Sequence, residues 1–306
     1  MSTPPIVALV GATASGKTGL SLDLAEALGG EIVNTDAMQV YAGMDVGTAK
    51  VPLTERRGIT HHLLDLLTVR EPLTVARFQE QARDLTAELR GSGTTPVLVG
   101  GSALYTRAIL DRFEFPATDP EVRARWEAEL AEVGSFALHA RLAQIDPAAA
   151  AKIERENGRR VVRALEVIEI TGAPYASSLP ELTYADPRTL QLGLEIDRPS
   201  LDRRIEQRVS AMFESGFVAE VERLLSEGLA VGVTASRAIG YREVRAHLAG
   251  DLSLDVARQR TVIATRQFSR RQDAWFKKDP RIVWVRFDAP DRAQRALDAV
   301  AALSTP

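Results

Sequence analysis

Residues 11–18 read GATASGKT, and this octapeptide decides the fold. It satisfies the pattern G-x-x-x-x-G-K-[ST] at every fixed position. Its flanks supply the context that pattern requires. PIVALV (5–10), apolar and rich in β-branched residues, reads as a buried parallel strand directly before it. LSLDLAEALGG (20–30) follows, with apolar residues at helical spacing and a glycine stop. A loop between a strand and a helix N-terminus turns successive backbone N–H groups onto an anion, and the helix end adds partial positive charge. Gly11 and Gly16 allow the wrap, and Ala12, Thr13, Ala14 and Ser15 carry the amides between them. Lys17 adds a full charge, and the Thr18 hydroxyl is a candidate ligand for Mg2+.

Working outward, EIVN (31–34) reads as a second strand and PVLVGG (96–101) as a third. Between them VARFQEQARDLTAELR forms an amphipathic helix, with Thr74 as its cap and Gly91 as its end. Strand and helix alternating in this way predict an α/β parallel sheet. From about Phe115 to Pro180 only helical patterns occur, punctuated by prolines. RTLQLGLEID (188–197) and RIVWVRF (281–287) return to strand character, with long helices between. The expected fold is therefore a P-loop NTPase-like parallel-sheet core with an all-helical insertion. Residues 1–114 and 188–306 form the core, and 115–187 the insertion.

The bulk composition permits this and excludes little else. The chain has 306 residues, 45% hydrophobic and 26% charged, which suits an ordinary globular protein. No apolar run reaches the roughly 18 residues of a membrane span, and MSTPPIVALV lacks the basic lead of a secretory signal. There is no cysteine, hence no disulfide or thiolate metal site. A cytoplasmic monomer is the default expectation. The net charge of −3 does not by itself suggest a nucleic-acid partner.

The loop lacks the usual companion of an ATPase, a carboxylate at the end of a later apolar strand. PVLV ends instead in Gly100-Gly101-Ser102. Two transfer chemistries remain: a small-molecule kinase using ATP, or a transferase whose loop holds a diphosphate that leaves carbon. Asp36 directly follows the EIVN strand, which aims it at the crevice along the carboxyl edge of the sheet. Taken singly, an aspartate after a strand is more often a cap or turn residue.

The longer strings are more specific. VNTDAMQVYAGMDVGTAK (33–50), GITHHLLDLL (58–67), VGGSALY (99–105), NGRRVVRALEV (157–167), AIGYREV (238–244) and TRQFSRRQDAWFKK (265–278) follow the loop in order. Together with it they closely resemble the tRNA dimethylallyltransferases, also called tRNA isopentenyltransferases, over nearly the whole chain. The resemblance implies transfer of the five-carbon group of dimethylallyl diphosphate to N6 of the adenosine just 3′ of the anticodon, position 37, in tRNAs reading codons that begin with U. It places Asp36 as general base, a role worth about 10²–10⁴-fold. It assigns Lys17, the loop amides, Mg2+ on Thr18, and Arg208 to the leaving diphosphate, with Thr13 at the donor phosphates. It sets Asp36, Ala37, Met38, Gln39 and Ser102 at the target nucleotide. Ser102 stands where the family usually has Thr, and Ala37 where Ser is common.

RNA affinity requires local positive charge, not a positive average. Residues 258–281 hold Arg258, Arg260, Arg266, Arg270, Arg271, Lys277, Lys278 and Arg281 against Asp273 and Asp279. On a helix, Arg266, Arg270 and Lys277 share one face and Phe268 and Trp275 another, which predicts an apolar side on the core and a basic side outward. Such a helix is commonly just a solvated face. The resemblance adds Arg123, Arg159, Arg160 and Arg163 of the insertion as tRNA contacts. A base stacked in the anticodon loop must be splayed out to react, at about a few kcal/mol, and these contacts would offset that cost. His61 and His62 are adjacent and cannot share a metal from one regular element, and four histidines form no zinc constellation. Trp126, Trp275 and Trp284 read as core or shoulder residues.

Overall fold

The computed structural model describes residues 3–116, 118–175 and 180–303. Its polypeptide divides into two compact units, Arg112–Thr183 and the remainder, Met1–Asp111 with Tyr184–Pro306.

The larger unit is built on six parallel strands, β1 (Ile6–Val10), β2 (Gly30–Asn34), β3 (His61–His62), β4 (Thr95–Val99), β5 (Thr189–Glu195) and β6 (Ile282–Arg286), in the spatial order β3-β2-β4-β1-β5-β6. Alternation along β1 explains why it is apolar throughout. Ile6, Ala8 and Val10 join one cluster with Phe78, Phe217 and Tyr241, while Val7 and Leu9 join another with Leu20, Leu24 and Leu192. A strand covered on both faces has no side left for polar residues. Truncating Leu9, fully buried, to Ala costs about 2–5 kcal/mol.

Helix α1 (Lys17–Leu28) ends on the left-handed Gly29, and α2 (Val75–Gly91) starts from Thr74, whose hydroxyl accepts the Arg77 N–H. Next comes α3 (Ala103–Leu110). The smaller unit consists of α4 (Pro120–Ile145), which breaks at Gly134, α5 (Pro147–Ala150) and α6 (Gly158–Thr171). Trp126, Leu138, Leu142, Val161 and Leu165 form its core. The Trp126 indole is buried there and donates to Glu169 at 2.9 Å. In the larger unit follow α7 (Arg198–Glu214), α8 (Phe217–Ser226), α9 (Tyr241–Leu248), α10 (Leu254–Phe276) and α11 (Arg292–Ala302).

Two sequence expectations need correction. Residues 58–67 gave no strand, yet His61–His62 pairs with Ile32–Val33 as the sheet edge. Two polar residues bonded on one side only leave no apolar pattern to read. In α10 the side packed inward is not Phe268 and Trp275. It is Ala257, Thr261, Ser269, Gln272 and Phe276, with Phe268 half-buried and Trp275 40% exposed. This face packs against α7, α9 and α3 and carries mostly small or polar side chains, so it shows no apolar stripe.

The sheet positions the site. All strands run the same way, so the turns after β1, β4 and β2 lie side by side at one edge. Neighbouring strands lie about 4.8 Å apart, so the turn after β2 is roughly 10 Å from the turn after β1. This is the crevice outside the carboxyl ends where ligands of open α/β sheets bind.

Candidate active site

A cavity of about 590 Å³ opens at that edge. The loop forms its floor. Gly16 adopts φ 105°, a left-handed conformation that starts α1 without a side-chain cap. The first amides of α1 therefore face the cavity, which Thr13 to Gly19 line. Lys17 curls back, its Nζ donating to the Gly11 and Ala12 carbonyls at 3.0 and 2.8 Å. Burial first and the nearby Arg208 second, opposed by Asp36, lower its pKa to about 7. Thr18 lines the same cavity. Ser15 Oγ is buried without a hydrogen-bond partner among the described residues.

Asp36 sits across the cavity on the turn after β2. Asn34, the last residue of that strand, fixes the turn by accepting the Asp36 N–H at 2.9 Å and donating to the Asp36 and Leu63 carbonyls. Asp36 Oδ1 accepts the Met38 N–H at 2.9 Å. The second carboxylate oxygen has no hydrogen bond among the described residues and is available to a ligand. Arg208, on α7, reaches the cavity and donates to the Thr48 carbonyl at 3.2 Å. Burial lowers its pKa and Asp36 raises it. Three charged groups, Lys17, Arg208 and Asp36, thus act on one another inside a single partly enclosed space. Tyr105 responds to the same environment, with burial first and the Asp36 charge among the rest raising its pKa to about 12.

The sequence-named residues do not all line this space. Ser102 caps α3, and its Oγ accepts the Ala37 N–H at 3.3 Å, tying the two turns together. Ala37 is buried and Met38 packs against the core. Gln39 lines the cavity, and its amide donates to the Thr48 carbonyl at 3.1 Å. On α10, Arg266 pairs with Glu206 at 2.9 Å and Arg270 is exposed with no ion pair among the described residues, while Lys277, just past the end of the helix, pairs with Asp273. In the smaller unit, Glu166 is buried and accepts from both Arg123 and Arg163. Burial would raise the Glu166 pKa, but those two arginines outweigh it and hold the carboxyl low. Arg159 and Arg160 are exposed on α6.

Several residues went unnoticed in the sequence. Gln272 of α10 crosses to the loop, its Oε1 accepting the Thr13 N–H at 2.8 Å and its Nε2 donating to the Gly101 carbonyl at 2.9 Å. Arg204, four residues before Arg208 and so on the same helix face, donates to the Ala14 carbonyl at 2.7 Å. That spacing was a usable signal. Arg292 and Phe287 also line the cavity. Behind it, buried Glu220 accepts the backbone N–H groups of Asp45, Val46 and Gly47 and the Tyr241 hydroxyl. Buried Lys50 binds Asp45, Asp65 and the Tyr41 carbonyl. These residues hold segment 45–50, whose Thr48 carbonyl receives both Arg208 and Gln39.

Chemically, loop amides, a helix N-terminus, Lys17, Arg204 and Arg208 suit a polyanion. One carboxylate with a free oxygen can take up a proton beside it. The donor set also fits Mg2+ bound mainly through a ligand's phosphate oxygens, because that ion keeps few protein ligands and the Thr18 hydroxyl lines the cavity.

A family model described as IPP transferase matches residues 39–279, beginning just after the loop and Asp36. A tRNA dimethylallyltransferase of Nocardioides sp. is 70% identical over 298 residues, covering 97% of this chain and 96% of that protein. One from Kineococcus radiotolerans is 55% identical over 293 residues, covering 94% and 92%. Among solved structures, the full-length tRNA isopentenylpyrophosphate transferase of Bacillus halodurans aligns with a TM-score of 0.71 at 36% identity, covering 99% of this chain and 96% of that one. A eukaryotic dimethylallyltransferase acting on tRNA aligns with a TM-score of 0.85 at 25% identity, covering 99% and 80%.

Proposed function

The chain belongs to the IPP transferase family of tRNA prenyltransferases, and on that premise we propose that it moves the dimethylallyl group of dimethylallyl diphosphate to N6 of adenosine 37, beside the anticodon, in tRNAs reading codons that begin with U. The observation that carries this reading is the shared cavity, with the phosphate loop and Arg208 facing Asp36.

The chemistry follows from the charges. The exocyclic amine of adenine is a weak nucleophile, because its lone pair is delocalised into the ring. As N6 bonds to the allylic carbon, Asp36 accepts the amine proton through its unengaged oxygen. The carbon–oxygen bond breaks with its electron pair passing to the diphosphate. Lys17, the loop amides, Arg204 and Arg208 meet that charge as it grows, at fixed positions and in a partly enclosed site where such contacts are strong. The Thr18 hydroxyl would hold Mg2+ together with a bound diphosphate, and the ion would supply Lewis acidity at the leaving group. A lysine with a pKa near 7 in the free protein becomes a full cation when a polyanion enters, so donor binding at slightly alkaline pH takes up a proton. Ser102 keeps the Asp36 and Gly100–Ser102 turns in register. Exposed Arg159 and Arg160 on α6, and Arg270 on α10, present charge for RNA phosphates.

The test is direct. Unmodified tRNA, dimethylallyl diphosphate and Mg2+ are incubated with the chain, and the digested RNA is mapped by mass spectrometry. The proposal expects one C5H8 unit on adenosine 37. No gain on RNA, accompanied by phosphoryl transfer from ATP to a small hydroxyl compound, would make the protein a kinase instead.

A further inference from the structure

We propose that Gln272 is a positioning residue that sets the distance between the departing diphosphate and the attacking amine. It lies on the buried face of α10 and is 5% exposed. Its amide joins two turns at the sheet edge. The oxygen accepts from Thr13 of the phosphate loop, and the nitrogen donates to Gly101 of the turn after β4. The next residue, Ser102, holds the Ala37 N–H beside Asp36. One primary amide thus links the cradle of the leaving group to the turn after β4, which through Ser102 holds the turn that carries the base. The sequence has made room for it: a Cβ on Gly101 would lie 2.1 Å from Gln272 Nε2, so any larger residue there would expel the amide.

The two bonds need one donor and one acceptor on the same planar group. Gln supplies both, whereas Leu supplies neither and leaves a buried N–H and a buried C=O unpartnered. A glutamate carboxylate accepts from Thr13 but faces the Gly101 carbonyl with a second acceptor. Once protonated, it can donate there and reproduces both bonds.

This inference rests on the prenyl-transfer reading, and the experiment separates the two. Gln272→Leu and Gln272→Glu are compared with the parent for folding by circular dichroism, inorganic diphosphate binding by calorimetry, anticodon stem-loop binding, and single-turnover prenyl transfer. Reactivity depends steeply on placement, so Gln272→Leu should lose up to about 100-fold in kcat with RNA affinity unchanged. Gln272→Glu should be similarly slow at pH 8 and recover toward the parent as pH falls. Lys17, Asp36, His61, Arg204, Arg208 and Arg292 around the cavity, and Asp273 beside the residue on α10, are common to both proteins. The variant-to-parent ratio at each pH therefore isolates the new carboxyl. Gln272→Leu should show no recovery. Folded variants with parental kcat, or a ratio for Gln272→Glu that does not change with pH, overturn the proposal. If the parent transfers no prenyl group while diphosphate binding still weakens in both variants, the clamp on the loop stands and the proposed function falls.

Discussion

Replacing Asp36 with Asn isolates proton transfer from geometry. Asp36 Oδ1 accepts the Met38 N–H, and Asn34 fixes the backbone on either side of it. Both features survive in the amide, whose oxygen can still accept from Met38. Only the basic oxygen facing the cavity is lost. A positioned base contributes about 10²–10⁴-fold, which is roughly 2.7–5.4 kcal/mol of barrier. A second effect touches the donor site: Asp36 raises the pKa of both Lys17 and Arg208, so its loss lowers both. Saturating donor removes this second effect, so single-turnover rates at saturation report the base alone. Asp36→Asn should slow that rate by two to four decades and leave anticodon stem-loop affinity within about twofold. A rate near the parent's would refute the base assignment, and an equal loss in RNA affinity would show that the carboxylate positions nucleotide rather than moving a proton.

Other expectations follow from the same geometry. Arg208→Ala should raise KM for dimethylallyl diphosphate by at least about tenfold, since charge-assisted bonds are worth roughly 1.5–3 kcal/mol; steady-state kinetics at saturating tRNA check it. Arg270→Ala and Arg159→Ala should each weaken tRNA binding and flatten its salt slope by up to about one, while Arg266→Ala should do less because Glu206 already engages it; fluorescence titration over a salt series decides. Glu220→Ala leaves three backbone N–H groups and the Tyr241 hydroxyl without their acceptor, and calorimetric unfolding should show a loss of more than about 1–3 kcal/mol. Glu166, held low in the fold by Arg123 and Arg163, stabilises above its unfolded pKa near ~4.3, and that stability is lost as pH falls through its lower folded value. Thermal stability between about pH 5 and 3 should therefore drop more steeply in the parent than in Glu166→Gln.

What could be read in advance divides along physical lines. β1, α1, β2, α2 and β4 were legible because burial on one or two faces writes itself into periodicity and caps. The loop and Asp36 were legible because a phosphate cradle demands glycines at fixed places and open-sheet sites lie at strand ends. β3 was hidden, since a two-residue edge strand of histidines carries no period. Gln272 was hidden as well, because a glutamine on a helix of charged residues reads as surface until the structure turns that face inward. The Glu220 and Lys50 supports depend on contacts between residues 5 to 175 positions apart, which no local pattern encodes. Arg208 could be named only through the family resemblance; the structure now gives it a place beside Lys17 and Asp36.

The central claim is that the loop holds a phosphate group that leaves carbon. The measurement that meets it head-on counts inorganic diphosphate released per N6-isopentenyladenosine formed, with tRNA, dimethylallyl diphosphate and Mg2+ as the only substrates. The account predicts a ratio of one, both products failing together in Asp36→Asn. Modified adenosine that appears only when ATP is consumed, or diphosphate released without any modified base, would contradict it.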